Sequence, residues 1–233
     1  MEEIEERGYE RKEMEEKLET FGFNGFTLKC IAMVSMLIDH MGAILFPQYL
    51  ILRMVGRIAF PIYCFLLVEG VMHTGDVRKY ELRLLGFALI SEIPFDLAFR
   101  GGINWEHQNV FFTLFLGVVA IELAERYKNK FILVMIFALM ILFAEFLNTD
   151  YGGKGIVFIL CYYLLYERKA VKQLLFLLEN FLLYGRGVQM YASFAVFPML
   201  LYNGRKGPSM KYLFYVFYPL HLLILQFIFE IIY

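Results

Sequence analysis

Long blocks of apolar residues alternate with short polar connections along most of the chain. A helix needs about 20 mostly apolar residues to cross a bilayer, so the pattern predicts an all-α, polytopic integral membrane helical bundle. We expect about nine transmembrane helices, the sixth and seventh of them short. Their predicted limits are 28–46, 50–71, 82–99, 109–125, 131–147, 155–166, 170–184, 188–202 and 212–232.

Basic residues are concentrated in every second connection between these segments. Cytoplasmic loops of membrane proteins are enriched in lysine and arginine, so this alternation predicts a cytoplasmic N-terminus and an external C-terminus. Residues 1–25 are then a charged cytoplasmic arm, and residues 26–233 are one transmembrane domain in contact with the lipid bilayer.

Composition narrows the possible functions. Hydrophobic residues make up 60% of the chain and the net charge is −1, so global charge indicates no nucleic-acid partner. The three cysteines lie within apolar blocks, where packing is the simplest role for them. The sequence contains neither a zinc-hydrolase motif nor a serine-elbow motif, and we expect no bound metal.

Asp39 and His40 are adjacent ionisable residues inside the first apolar segment. A charge near the middle of a bilayer costs about 2.5–3.5 kcal/mol on insertion scales, so both residues need partners or a function. Consecutive helical residues do not face each other, so Asp39 is not expected to orient His40. Counting from the turn near Gln48 places Arg57 at the depth of Asp39, and we predict an ion pair between Asp39 and Arg57.

Glu92 in the third segment and His221 in the last segment are expected in the same layer. Together with the first hairpin they predict a buried polar site that opens toward the outside. These residues could instead have purely structural roles. The ion pair of Asp39 and Arg57 could hold two helices together, and His221 could form a hydrogen bond with a backbone carbonyl. His107 is expected to be solvated, and Asp150 is expected to be structural or solvated within a plain glycine-rich turn.

Polar and aromatic motifs recur along the predicted membrane domain, at Met36–His40, Gly56–Pro61, Glu69-Gly70, His73-Thr74, Arg83, Ser91–Phe95, Asn109–Thr113, Asp150–Gly152 and Phe214–His221. In these stretches the chain resembles the TraX family of bacterial membrane proteins, named for the F-pilin acetylation protein. A looser likeness to the acyltransferase-3 superfamily rests on Lys29 and His40, which have the spacing of an arginine and a histidine in that superfamily's first span.

This resemblance implies a cytoplasmic-membrane acetyltransferase that uses acetyl-CoA as co-substrate. His40 is the expected general base or transient acetyl carrier, with His221 as a further candidate. Arg57 is expected to hold Asp39 and to stabilise the oxyanion, and Glu92 is expected to orient the imidazole of His40. The basic residues expected to bind acetyl-CoA are Lys29, Arg78, Lys79, Arg83 and His73.

The acceptor stays open at this point among a glycan, a lipid, a peptide and a pilin-like N-terminus. Two other functions fit the sequence. A transporter or proton-coupled permease would use the buried charges, although the sequence shows no clear inverted repeat. A non-catalytic membrane assembly factor would pair those charges completely inside a sealed bundle.

Overall fold

The computed structural model describes residues 21–185 and 187–233, which form helices without extended strands. The charged arm predicted at residues 1–25 lies mostly outside the described residues. The helices, numbered along the chain, are α1 Gly25–Ile44, α2 Leu50–Gly56, α3 Ala59–Met72, α4 Val77–Arg100, α5 Val110–Arg126, α6 Lys130–Phe146, α7 Gly152–Leu164, α8 Lys169–Tyr184, a 3-10 helix Val188–Ala195, α9 Val196–Leu200 and α10 Lys211–Ile232.

All of the apolar segments predicted from the sequence overlap these helices. Within the described part of the chain, three helical segments are long and apolar enough to cross a membrane: Gly25–Ile44, Leu50–Met72 and Lys211–Ile232. Shorter apolar helices occupy Gly152–Leu164 and Val188–Leu200. The predicted all-α class is confirmed for the described residues, and these segments are consistent with a membrane protein.

A break at Arg57 and Ile58 separates α2 from α3, whereas the sequence predicts one continuous helix over 50–71. Pro61 explains this difference. Proline has no backbone N–H, so the carbonyl of Arg57, four residues earlier, loses its helical hydrogen-bond donor. The chain is therefore irregular at a residue that the sequence analysis places in the site.

Glycines allow α1 to pack closely against α2. A Cβ atom on Gly56 would overlap Asp39, and one on Gly42 would lie 2.7 Å from the Cβ atom of Leu52. Side chains larger than hydrogen at these two positions would force the helices apart. The close hairpin brings the start of the α2–α3 segment against the Asp39 side of α1.

Five helices form a closed ring in the order α1, α3, α5, α4 and α10, each packed against the next. Residues on these helices that are completely buried include Leu28, Ile62, Ala88, Val118 and Leu222. The remaining helices pack outside this ring, with α7 and α8 behind α3 and α5. The ring determines where the candidate site lies.

The predicted packing role of the cysteines agrees with their positions. All three are free thiols, and Cys64 and Cys161 are buried.

Candidate functional site

The helical ring encloses a cavity of about 720 Å³, to which all five helices contribute side chains. This volume is within the range of roughly 300–1,000 Å³ that small-molecule sites occupy. The lining extends along α1 from Lys29 to His40, a helical rise of roughly 16 Å. We call the part around Lys29, Lys206 and Lys211 the lysine end, and the part around His40 the histidine end.

A series of hydrogen bonds fixes the state of His40. His221 Nδ1 lies 2.7 Å from the carbonyl oxygen of Phe217, and His40 Nδ1 lies 2.7 Å from His221 Nε2. Because a carbonyl only accepts, Nδ1 of neutral His221 carries the hydrogen and its Nε2 accepts. His40 Nδ1 then donates to His221, which leaves His40 Nε2 with a free lone pair.

Packing holds the His40 ring in place. The ring contacts Phe99 of α4 edge-on, at 5.3 Å between centroids, and Tyr218 of α10 at 6.1 Å. His40 lines the cavity, whereas His221 behind it is only 4% exposed. The arrangement presents an oriented imidazole to the cavity and supports it with a second imidazole.

The predicted ion pair of Asp39 with Arg57 is confirmed. Arg57 Nη2 contacts Asp39 Oδ2, and Arg57 Nε lies 3.2 Å from Asp39 Oδ1. Arg53, which the predicted site omits, also binds Asp39 through Nη1, 2.9 Å from Oδ2. Two guanidinium groups thus surround one carboxylate, and Asp150 lies close enough to interact electrostatically with both arginines.

The prediction that Glu92 orients His40 is wrong. Glu92 Oε2 instead accepts hydrogen bonds from the backbone N–H of Asn109, at 3.2 Å, and from its side-chain amide. Asn109 begins α5, where unpaired N–H groups and the helix dipole favour a nearby carboxylate. Glu92 therefore faces α5, and His221 holds the orienting position against His40.

Three of the residues predicted to bind acetyl-CoA, Lys29, His73 and Arg83, line the cavity. Lys206 and Lys211 line it as well, although the sequence analysis did not select them. Both lie in or beside the connection before α10, which folds back over the start of α1. The sequence did contain a signal for these two lysines, because both are basic residues in a predicted cytoplasmic loop.

Arg78 and Lys79, also predicted to bind acetyl-CoA, are not among the residues that line the cavity. Lys79 Nζ lies 3.0 Å from Asp76 Oδ2, and Arg78 Nε lies 3.9 Å from Glu122 Oε1. Asp76 caps the start of α4, and its hydrogen bond from the backbone N–H of Lys79, followed by the Lys79 ammonium group, lowers its pKa. These two basic side chains are engaged on the surface.

His107 and Asp150 also line the cavity, contrary to the expectation of a solvated histidine and a plain turn. His107 Nε2 lies 4.0 Å from Asp150 Oδ1. Next to them, Tyr151 has a φ of 67° and stacks on Phe60 with 3.6 Å between centroids. A left-handed tyrosine is costly, and such conformations occur preferentially at functional sites. The resemblance of Asp150–Gly152 to the TraX family was the feature of the sequence that could have indicated a role at this position.

The site combines a free imidazole nitrogen, two arginines paired with Asp39, and a deep cavity with a cationic far end. Within the part of the chain that the structure describes, no three histidine, cysteine, aspartate or glutamate residues converge as metal ligands. The arrangement is suited to bind an elongated anionic molecule with its reactive end near His40.

Comparison with known proteins agrees with the sequence resemblance. The TraX family, described as TraX protein, matches residues 24–229. The probable fimbrial assembly protein FimC, serogroup H1, of Dichelobacter nodosus is 35% identical over 239 residues, covering 87% of this chain and 94% of that protein. Protein TraX of Escherichia coli is 24% identical over 141 residues, covering 60% of this chain and 55% of that protein.

An uncharacterized protein of Rickettsia prowazekii (strain Madrid E) is 30% identical over 90 residues, covering 39% of this chain and 33% of that protein. No solved structure matches the chain. The family match extends over all the helices that form the cavity. The chain therefore belongs to the TraX family.

Proposed function

We propose that this protein is a multi-pass acetyltransferase of the bacterial cytoplasmic membrane, which transfers an acetyl group from acetyl-CoA to a hydroxyl or amine. The observation that carries the proposal is the hydrogen-bonded series from Phe217 through His221 to His40 at the head of the cavity. An imidazole with one nitrogen held and the other free is suited to general-base catalysis. Membership of the TraX family, which takes its name from the F-pilin acetylation protein, supports this choice of chemistry.

The proposed topology has about nine membrane segments and a cytoplasmic N-terminus, as the loop charges favour. With this orientation, the lysine end faces the cytoplasm and the histidine end lies in the outer half of the bilayer. α7, with 13 residues, reaches roughly 20 Å and needs a locally thinned bilayer or burial among its neighbours.

The basic residues at the lysine end, and the roughly 16 Å of lining along α1, support acetyl-CoA as the donor. Lys29, Lys206 and Arg83 at the lysine end bind the phosphates, because their side chains line the cavity there. The extended arm of the donor follows the ring interior toward the histidine end. The thioester then lies beside His40 and the two arginines that hold Asp39.

His40 Nε2 removes the proton of the acceptor hydroxyl or amine as that group attacks the acetyl carbonyl carbon. The carbonyl oxygen gains negative charge, which Arg53 and Arg57 stabilise electrostatically. The carbon–sulfur bond then breaks, and the departing thiolate takes the proton from His40. His221 acts as a positioning residue throughout, since it holds His40 Nδ1.

A non-catalytic assembly factor is the second candidate, and the name of the Dichelobacter nodosus relative favours it. For the enzyme, the acceptor is open, and the same name makes a pilin-like N-terminus one candidate. An assembly factor requires only that the buried charges be paired within a sealed bundle. The cavity of about 720 Å³ that His40 lines supports the enzyme instead.

Labelled acetyl-CoA added to membranes that contain the protein tests this proposal. We expect labelled product with the wild-type protein and with Lys79→Gln, whose side chain is engaged outside the cavity. We expect no product with His40→Gln, although this variant folds. Full transfer by folded His40→Gln would remove His40 from the mechanism, and no transfer by wild-type membranes would favour the assembly factor.

A further inference from the structure

A second, smaller cavity of about 220 Å³ lies beside the lysine end. Glu69, His73, Tyr202 and Gly204 line both cavities, so the two spaces adjoin. The smaller cavity lies between the end of α3, the start of α8 and the connection after α9. The smaller cavity is therefore a neighbour of the lysine end of the main cavity.

Fixed aromatic rings form part of the wall of the smaller cavity. The Tyr166 hydroxyl donates to Glu69 Oε2 at 3.4 Å. Lys172 Nζ donates to the Tyr166 carbonyl oxygen at 3.1 Å and lies over the rings of Phe65 and Tyr166, at 4.9 and 5.1 Å. Lys172 is only 4% exposed, so these contacts account for its burial. The Tyr166 ring is thus held in place as part of the wall.

Gln173 supplies an independent observation that indicates a ligand. It lines the smaller cavity and is 4% exposed, yet its Oε1 has no hydrogen-bond partner among the described residues. Buried polar atoms are nearly always paired, so an unpaired Oε1 on a residue that lines a cavity indicates a missing hydrogen-bond donor. A glutamine amide forms paired hydrogen bonds with the N6 and N7 edge of adenine, and aromatic rings stack on nucleobases.

We propose that the smaller cavity is a subsite for the adenine base of the CoA donor. Gln173 bonds the edge of the base, and Tyr166 packs against its face. The phosphates lie in the adjoining lysine end, near Lys206, and the thioester arm extends along the main cavity toward His40. This inference rests on the proposed function and deepens it, because it makes a nucleotide-bearing thioester the donor.

Binding measurements on the purified full chain in lipid nanodiscs test the subsite. The probes are CoA, pantetheine, which lacks the nucleotide, and adenosine 3′,5′-bisphosphate, which lacks the arm. We expect wild-type protein to bind CoA at least tenfold more tightly than pantetheine. Gln173→Leu should weaken CoA and the bisphosphate by about tenfold and leave pantetheine unchanged. Gln226→Leu is the matched control, because Gln226 is in α10 and lines neither cavity. This variant should bind all three probes as the wild-type protein does.

Unchanged CoA affinity in folded Gln173→Leu would overturn the subsite and leave the proposed acetyltransferase unaffected, because the phosphate contacts are intact in that variant. An equal loss for CoA and pantetheine in Gln173→Leu would also overturn it, since that result indicates general damage. If Gln173→Leu does not fold, Tyr166→Leu must give the same selective loss. Failure of the proposed function gives a different result, because neither CoA nor pantetheine then binds and no acetyl group is transferred.

Discussion

Gly56 of α2 lies against Asp39 of α1 so closely that a Cβ atom on residue 56 would overlap the aspartate side chain. This approach brings α2 near enough for both of its arginines to reach the carboxylate. Arg53 lies three residues before the glycine and Arg57 lies one residue after it, and both bind Asp39 Oδ2. Arg53, Arg57 and Asp39 therefore interact only because residue 56 is a glycine.

Gly56→Ala should lower the free energy of unfolding by about 1–3 kcal/mol, because the added methyl group forces α1 and α2 apart. Gly86→Ala is the matched control, since a Cβ atom there meets nothing within 4 Å. That change should stabilise α4 by up to about 1 kcal/mol. Thermal unfolding in detergent measures both effects, and equal unfolding temperatures for the two variants would contradict the packing argument.

Asp39→Asn should cost about 3–5 kcal/mol of stability, since it removes the carboxylate that both arginines bind. Lys128→Gln breaks an exposed pair with Glu125, in which Nζ and Oε2 are 3.0 Å apart, and should cost less than about 1 kcal/mol. Denaturant unfolding of both variants gives the comparison. A double variant, Asp39→Asn with Arg57→Gln, should lose less stability than the two single changes added together.

His221→Phe should reduce kcat for acetyl transfer by roughly 10²-fold, because His40 Nδ1 loses the acceptor that fixes its tautomer. The KM for acetyl-CoA should stay the same, since His221 is not among the residues that line the cavity. His221→Gln keeps an acceptor and should recover part of the rate. Steady-state kinetics with labelled donor separate kcat from KM, and a rise in KM alone would assign His221 to binding.

Lys29→Gln and Lys206→Gln should each raise the KM for acetyl-CoA about two- to fivefold, as expected for the loss of one partly exposed charge contact. Their kcat should not change, because both lysines lie at the end of the cavity away from His40. Added salt should raise the wild-type KM in the same direction. A matching increase in Lys79→Gln, which is outside the cavity, would indicate that overall charge causes the effect.

Depth in the helical bundle could be predicted from the sequence, whereas the direction of a side chain could not. Counting from the turn near Gln48 locates the partner of Asp39 correctly, because a short hairpin leaves few arrangements for two helices. The same counting places Glu92 near the level of His40. The rotation of α4 about its axis determines which residue Glu92 contacts, however, and this rotation directs Glu92 toward Asn109.

Contributions from loops to the site were also hard to predict. Apolar blocks predict helices well because burial and backbone pairing both favour them in an apolar environment. No comparable rule shows that Asp150 and Lys206 turn toward the cavity, since their direction depends on how neighbouring loops pack. The interruption at Arg57 was predictable in principle from Pro61, but the apolar pattern of 50–71 concealed it.

The contact between His40 and His221 joins residues 181 positions apart. The two histidines of the site are therefore synthesised at different times. A ribosome completes α1 well before it reaches position 221. A nascent chain that lacks α10 therefore has His40 without the acceptor that fixes its tautomer. In the proposed enzyme, His40 is prepared to act as a base only after α10 has been made and has packed against α1.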